Sequence, residues 1–371
     1  MDGRSVAAYG DRLTMVHRDP ARRLHLSTFA PTVMAGPRLH GQAAPSAPPF
    51  AGLEGPTLSS RVLDPVLRAE ALGLDAVLIA QRWWGTAAEI EGSSLDCLAM
   101  TSWYAALTER IGLITAIHPG FFLPAAIAKW GATVDRLSGG RWSVNVTTGW
   151  HLREFAMFGA EAPAHDLRYE RSAEFLDILR GAWECEEISY SGHWYSVDGL
   201  RVEPRPVSER LTVYQGGQSE AARSLAAAHS DWMFLNGGPP EKIAAIVADV
   251  KARAAANGRK LRCLVYAIPL CRPTDAEAEA DISRMLAAAD PVMADRRRTA
   301  TSGAQGMWEE SADPLTRLDS NEGYASRLIG SPATVLRRAH ELIDAGVDGF
   351  HVLLNDRLFV EEVLPSLREI S

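Results

Sequence analysis

Short apolar runs separated by helical segments recur along nearly the whole chain, and this alternation constrains the fold more than any other feature. Strand-like runs fall at 23–29, 75–80, 111–117, 141–147, 211–214, 232–235, 261–270 and 349–354. Helical segments fall at 61–72, 95–108, 124–137, 169–183, 219–228, 240–256, 275–288 and 332–345. Runs such as Ala76-Val77-Leu78-Ile79 are apolar at successive positions, as in strands of a parallel sheet covered on both faces. About eight strands interleaved with helices predict an α/β fold, a (β/α)8 TIM barrel with insertions. A doubly wound open sheet is the alternative. No Gly-x-Gly-x-x-Gly follows any strand, so that alternative lacks its dinucleotide fingerprint.

The chain has 371 residues, more than the ~250 of a typical barrel. The surplus is read as an N-terminal arm at 1–22 and three insertions in a single domain spanning 23–371. Residues 31–57, rich in Pro, Gly and Ala, are too long for a connector and are expected to form a lid. Residues 186–203 are expected to form a hairpin, and 290–325 an irregular, charged insertion. With 38 Lys and Arg against 46 Asp and Glu, the net charge is −8, which argues against a nucleic-acid surface or a polybasic membrane patch. No apolar run approaches the ~18 residues of a membrane span, and the polar N-terminus has no signal-peptide core. The four cysteines lie in apolar runs without metal spacing, so a cytoplasmic protein with reduced thiols and no metal is expected.

In such a barrel the chemistry sits where strands end. The run after the fifth strand, Gly216-Gly217-Gln218-Ser219-Glu220, opens onto a helix whose unpaired N–H groups favour an anion. Glycines there let the backbone approach a ligand, and Ser219 serves either as a helix cap or as a phosphate donor. Asn145 is polar within the fourth strand and needs partners that a heterocycle with carbonyl and N–H groups would supply. Trp150 offers a flat wall, and Arg168-Tyr169 at a helix start offers a cation and a phenol for a phosphate or an acidic substrate. His118 sits where the third strand meets a proline turn, a place for proton transfer. The second strand ends in Gln81-Arg82-Trp83-Trp84-Gly85. Zinc-binding His-Glu-x-x-His, Cys-x-x-Cys, the Gly-x-Ser-x-Gly elbow and the Walker loop are all missing from the sequence.

These residues, with Leu137-Ser138-Gly139-Gly140-Arg141 and Leu328-Ile329-Gly330-Ser331-Pro332, resemble the luciferase-like, two-component flavin monooxygenases from about Leu24 to Leu367. Within that group the likeness is greatest to the dimethylsulfone and pyrimidine ring-opening enzymes. The resemblance implies that Asn145, Glu154, Arg168, Tyr169 and Ser219 contact flavin mononucleotide (FMN), with Ala80, Gln81, Gly217 and Gln218 beside them. It further implies a flavoprotein that takes reduced FMN from a separate NAD(P)H-dependent flavin reductase and uses O2 as co-substrate. Its substrate would be a small sulfur- or nitrogen-containing molecule, and its state a homodimer or homotetramer. His118, Trp150 and Tyr324 are the candidates for residues facing the substrate. No histidine in 266–270 and no evident arginine near 321–324 count against a sulfonate. Two other readings are a deazaflavin-dependent hydride-transfer enzyme on the same fold and a non-catalytic flavin-binding protein.

Overall fold

The structure, a computed structural model, describes residues 24–33, 52–83, 94–292, 313–319 and 321–370, together with 295, 299 and 305. The expected arm at 1–22, most of the lid at 31–57, much of 290–325, and Trp84 and Gly85 lie outside the described residues.

Eight strands form one closed parallel barrel. They are β1 (His25–Phe29), β2 (Ala76–Ile79), β3 (Gly112–Ile117), β4 (Trp142–Val146), β5 (Val213–Gly216), β6 (Trp232–Leu235), β7 (Arg262–Ala267) and β8 (Gly349–Val352). β8 pairs back onto β1, with Leu26 opposite Phe350, and this leaves the sheet no edge. The open-sheet alternative is therefore excluded. Around the strands lie α1 (Gly55–Ala71), α2 (Cys97–Leu107), α3 (Pro124–Ser138), α4 (Leu152–Met157), α5 (His165–Glu184), α6 (Glu220–His229), α7 (Pro240–Ala256), α8 (Asp275–Ala287) and α9 (Pro332–Asp344).

Local chemistry sets where the helices start. The side chains of Asp96, Ser219 and Ser331 each accept a backbone N–H from the first turn of α2, α6 and α9. Thr274 and Glu277 form a reciprocal capping box on α8. Several expected boundaries moved. The strand expected over 261–270 stops at Ala267 because Pro269 has no N–H to give a ladder. Leu270–Cys271 instead pairs with Ile329–Gly330 outside the barrel. Proline near the start of α1 suits its first turn, and that helix begins at Gly55 rather than 61. Cys97, Cys263 and Cys271 are buried as expected, whereas Cys185 caps the end of α5 and is exposed.

Inside the barrel Ala76, Leu78, Ile114, Tyr214, Trp232 and Leu264 form a cluster of their own, with Tyr214 stacked on Trp232 at 5.7 Å. The larger core fills the space between strands and helices. One buried cation joins these layers. Arg141, just before β4, donates to the carbonyls of Ala105, Thr108, Ile111 and Ser138 at 2.8–3.0 Å, and to the Thr108 hydroxyl at 2.8 Å. Carbonyls at the end of α2 have no helical partner of their own, and the guanidinium supplies one. Burial pulls Arg141 below its ordinary value, with the carboxylates of Glu70 and Glu109 acting in the opposite sense. Arg141→Leu leaves several buried carbonyls unpaired, at roughly 1–3 kcal/mol each. The variant is expected to lose at least ~3 kcal/mol in urea unfolding, and Arg141→Lys to recover less than half of that loss.

Candidate functional site

A cavity opens at the strand ends of the barrel, with about 880 Å³ of space in it and its open mouth together. Phe29, Leu78, Ala116 and Phe234 line its depth, and these are inward residues of β1, β2, β3 and β6. Around the mouth stand Ala80, Gln81, Arg82, His118, Asn145, Trp150, Arg168, Tyr169 and Gly217, drawn from the exits of β2, β3, β4 and β5 and from α5. Of the twelve residues named from sequence, eight therefore share one cavity: Ala80, Gln81, His118, Asn145, Trp150, Arg168, Tyr169 and Gly217.

The rim holds polar atoms that the protein leaves open. Gln81 Oε1 accepts the backbone N–H of His118 at 3.0 Å, while Gln81 Nε2 has no partner. Asn145 Oδ1 and Asn236 Nδ2 are likewise buried and unpartnered. Two amide donors and an amide acceptor, brought to one cavity by β2, β6 and β4, cost free energy until a ligand meets them. Asn236 was not singled out in the sequence, although Asn236-Gly237-Gly238-Pro239 directly follows β6 and obeys the same strand-exit logic. Its neighbour Gly237 must be glycine. A Cβ there would stand 2.0 Å from the Glu322 carbonyl.

Beside the β4 exit, Arg168 is buried and donates through Nη1 to the Gly149 carbonyl at 2.6 Å. Burial draws its guanidinium below the ordinary value, as for a cation short of solvent. The Ser219 hydroxyl donates to Tyr169 Oη at 3.3 Å and accepts the Ala222 N–H at 3.2 Å, so Ser219 is a helix cap that also touches the cavity-lining phenol. Gly217 has φ +128°, and a Cβ there would meet Ala222 Cβ at 3.0 Å and Tyr169 Oη at 3.3 Å. This leaves a small cradle between Tyr169, Gly217 and the start of α6. Glu220 faces away from it and pairs with Arg253 of α7. Arg82 lies over the Trp150 ring at 6.0 Å, which sets that wall by a cation–π contact.

Three of the remaining four residues stand behind the wall. Glu154 is fully buried: Oε1 accepts the Trp83 N–H at 2.8 Å, and Oε2 lies 3.1 Å from His118 Nδ1. Gln218 donates to the Asn236 carbonyl at 3.2 Å, and Ser219 caps α6. Tyr324 packs against the cluster of Leu270, Ala278, Ile282, Leu318 and Ile329 and is not among the residues around the cavity. The Asp319 carboxylate takes the N–H groups of Asn321, Gly323 and Tyr324, and the turn it pins brings Asn321 to the cavity instead.

Beneath the cavity His351 is wholly buried, 2.9 Å from the Ser27 hydroxyl and edge-on to Phe29 and Phe234. Burial pushes its pKa down to about 3 from an ordinary 6.5. The folded state therefore holds a neutral imidazole where the unfolded chain takes up a proton near 6.5. Its contribution is full above that value and is lost as pH falls toward about 3. Urea titrations from pH 7 to 4 are expected to show stability falling by a few kcal/mol. The slope is expected to be shallower in His351→Met.

A family model described as luciferase-like monooxygenase matches residues 38–349. The chain is 36% identical over 317 residues to an FMNH2-dependent dimethylsulfone monooxygenase of Pseudomonas fluorescens (strain Pf0-1), covering 82% of this chain and 85% of that one. It is 29% identical over 322 residues to a pyrimidine monooxygenase of Cronobacter sakazakii (strain ATCC BAA-894), covering 82% and 94%. A crystal structure of a long-chain alkane monooxygenase matches with a TM-score of 0.75 at 20% identity, covering 94% of this chain and 91% of that one, a likeness of fold. Among the described residues no helix is long and apolar enough to cross a membrane.

Proposed function

The chain belongs to the luciferase-like monooxygenase family, and we propose that the barrel mouth binds reduced FMN and a small neutral sulfur- or nitrogen-containing substrate. The carrying observation is the pairing of the unpartnered amide atoms of Gln81, Asn145 and Asn236 with the Arg168–Tyr169–Gly217 cradle across one cavity. An isoalloxazine ring presents carbonyl and N–H groups, and the amide donors of Gln81 and Asn236 and the acceptor of Asn145 are chemical partners for them. The phosphate tail fits the side of the mouth at the β4 and β5 exits, where Arg168 supplies charge and the start of α6 supplies backbone N–H groups. Bound reduced FMN supplies the electrons that activate O2 for transfer of one oxygen atom.

The chain's own residues do the rest. Phe29, Leu78, Ala116 and Phe234 keep water from the depth of the cavity, where an uncharged substrate is held beside the cofactor. Trp150 and Arg82 wall the mouth, and His118 lines it with a ring that gives or takes a proton in our reading. The substrate class follows the nearer relatives, whose names specify dimethylsulfone and pyrimidine. A flavin reductase acting as a separate partner supplies the reduced cofactor, and a homodimer or homotetramer is the proposed state.

Anaerobic titration with reduced FMN tests the assignment. Arg168→Ala is expected to weaken binding by roughly 10- to 100-fold, the worth of a charge-assisted contact. Glu220→Ala is expected to change it less than about twofold, because that carboxylate faces α7. Equal affinity in wild type and Arg168→Ala would remove the phosphate from this wall. An O2 pulse after loading, with dimethyl sulfone or uracil present, then reads turnover of each substrate class by product analysis.

A further inference from the structure

We propose that Glu154 is a positioning residue that fixes the ring tautomer of His118, so that Nε2 is the nitrogen that exchanges protons at the cavity. The geometry stands alone; its consequence for turnover rests on the function proposed above. Glu154 is wholly buried and His118 nearly so. A carboxylate in that setting accepts hydrogen bonds and gives none. Its Oε1 is held by the Trp83 backbone N–H at 2.8 Å, and its Oε2 faces His118 Nδ1 at 3.1 Å. Nδ1 must therefore carry a hydrogen whether the ring is neutral or cationic. Proton exchange is left to Nε2.

Two further contacts lock the arrangement. The His118 backbone N–H is tied to Gln81 Oε1 at 3.0 Å, which fixes the base of the side chain. Phe121 packs 6.1 Å from the imidazole and 4.7 Å from Phe155, the residue that follows Glu154. The other charged or titratable side chains on the cavity wall are Arg82, His165, Arg168 and Tyr169, and Glu154 is the carboxylate that faces Nδ1. In its neutral form His118 then presents a lone pair to an N–H or O–H of whatever occupies the cavity.

Glu154→Gln separates this role from plain packing. The Trp83 N–H can only donate, so it claims the single amide oxygen of the new side chain. The –NH2 group is then turned toward His118 Nδ1 and demands an acceptor there. The neutral ring must flip its tautomer to Nε2–H.

Nitrogen-15 NMR of histidine-labelled protein without flavin reads this directly, with His118→Gln identifying the resonance by its loss. At a pH where the ring is neutral, wild type is expected to show protonated Nδ1 and bare Nε2, and Glu154→Gln the reverse. With reduced FMN loaded, Glu154→Gln is expected to keep cofactor affinity within about threefold while turnover falls at least tenfold. Wild-type His118 found as Nε2–H, or one tautomer shared by both proteins, would overturn the proposal. The wild-type spectrum decides the matter even if the variant does not fold. Failure of wild type to bind reduced FMN would overturn the proposed function and leave the tautomer result untouched.

Discussion

Closure of eight parallel strands into one barrel is the constraint on which everything else depends. Pairing of β8 with β1 satisfies the last row of backbone groups and removes the sheet's edges. Because every strand runs the same way, all eight carboxyl ends face one rim, and residues separated by tens or hundreds of positions meet there. Gln81 and Asn236 belong to one cavity because β2 and β6 end at the same level. Arg141 serves that closure from the other end. By pairing the last carbonyls of α2, it fixes how the helix between β2 and β3 packs against the start of β4.

The cavity joins an apolar depth to a rim of amides, and the two halves carry opposite energetics. Phenylalanines from β1 and β6 bury area favourably and also seal His351 as a neutral group. At the rim, unpartnered atoms on Gln81, Asn145 and Asn236 each forgo hydrogen bonds that water would give the unfolded chain. The left-handed backbone at Glu322, in the turn that seats Asn321, adds a cost of the same kind. Local destabilisation collected around one cavity is what a ligand then repays, so occupancy of the site and stability of the fold are thermodynamically linked.

Strand order and the site's broad position were legible because they follow from period and direction. Apolar runs of strand length announce buried parallel strands, and parallel strands place their exits together. Legibility failed where tertiary geometry outweighs the local pattern. Pro269 was visible as a residue, but not as the point where the chain leaves the barrel to pair Leu270 with Ile329. Tyr324 and Asn321 are three apart and both polar; only the Asp319 hooks decide that Asn321 reaches the cavity. Asn236 was readable in principle, since it precedes two glycines and a proline at a strand end, the same signature that drew attention to Gly216-Gly217.

Glu154 shows what a family resemblance can carry and what it cannot. Matching motifs transfer a position, and here that position lies one layer behind His118. The role depends on which atoms the carboxylate meets, and both its oxygens are already met by protein nitrogens. A second anion facing a phosphorylated cofactor would oppose binding, whereas the same charge one layer back strengthens the grip on an imidazole that lines the wall. Trp83, whose N–H holds the far oxygen, lies at the β2 exit beside Arg82, and Arg82 in turn rests on Trp150. The exits of β2, β3 and β4 are thus joined through one buried carboxylate, and the cavity's shape and the ring state of His118 depend on the same group.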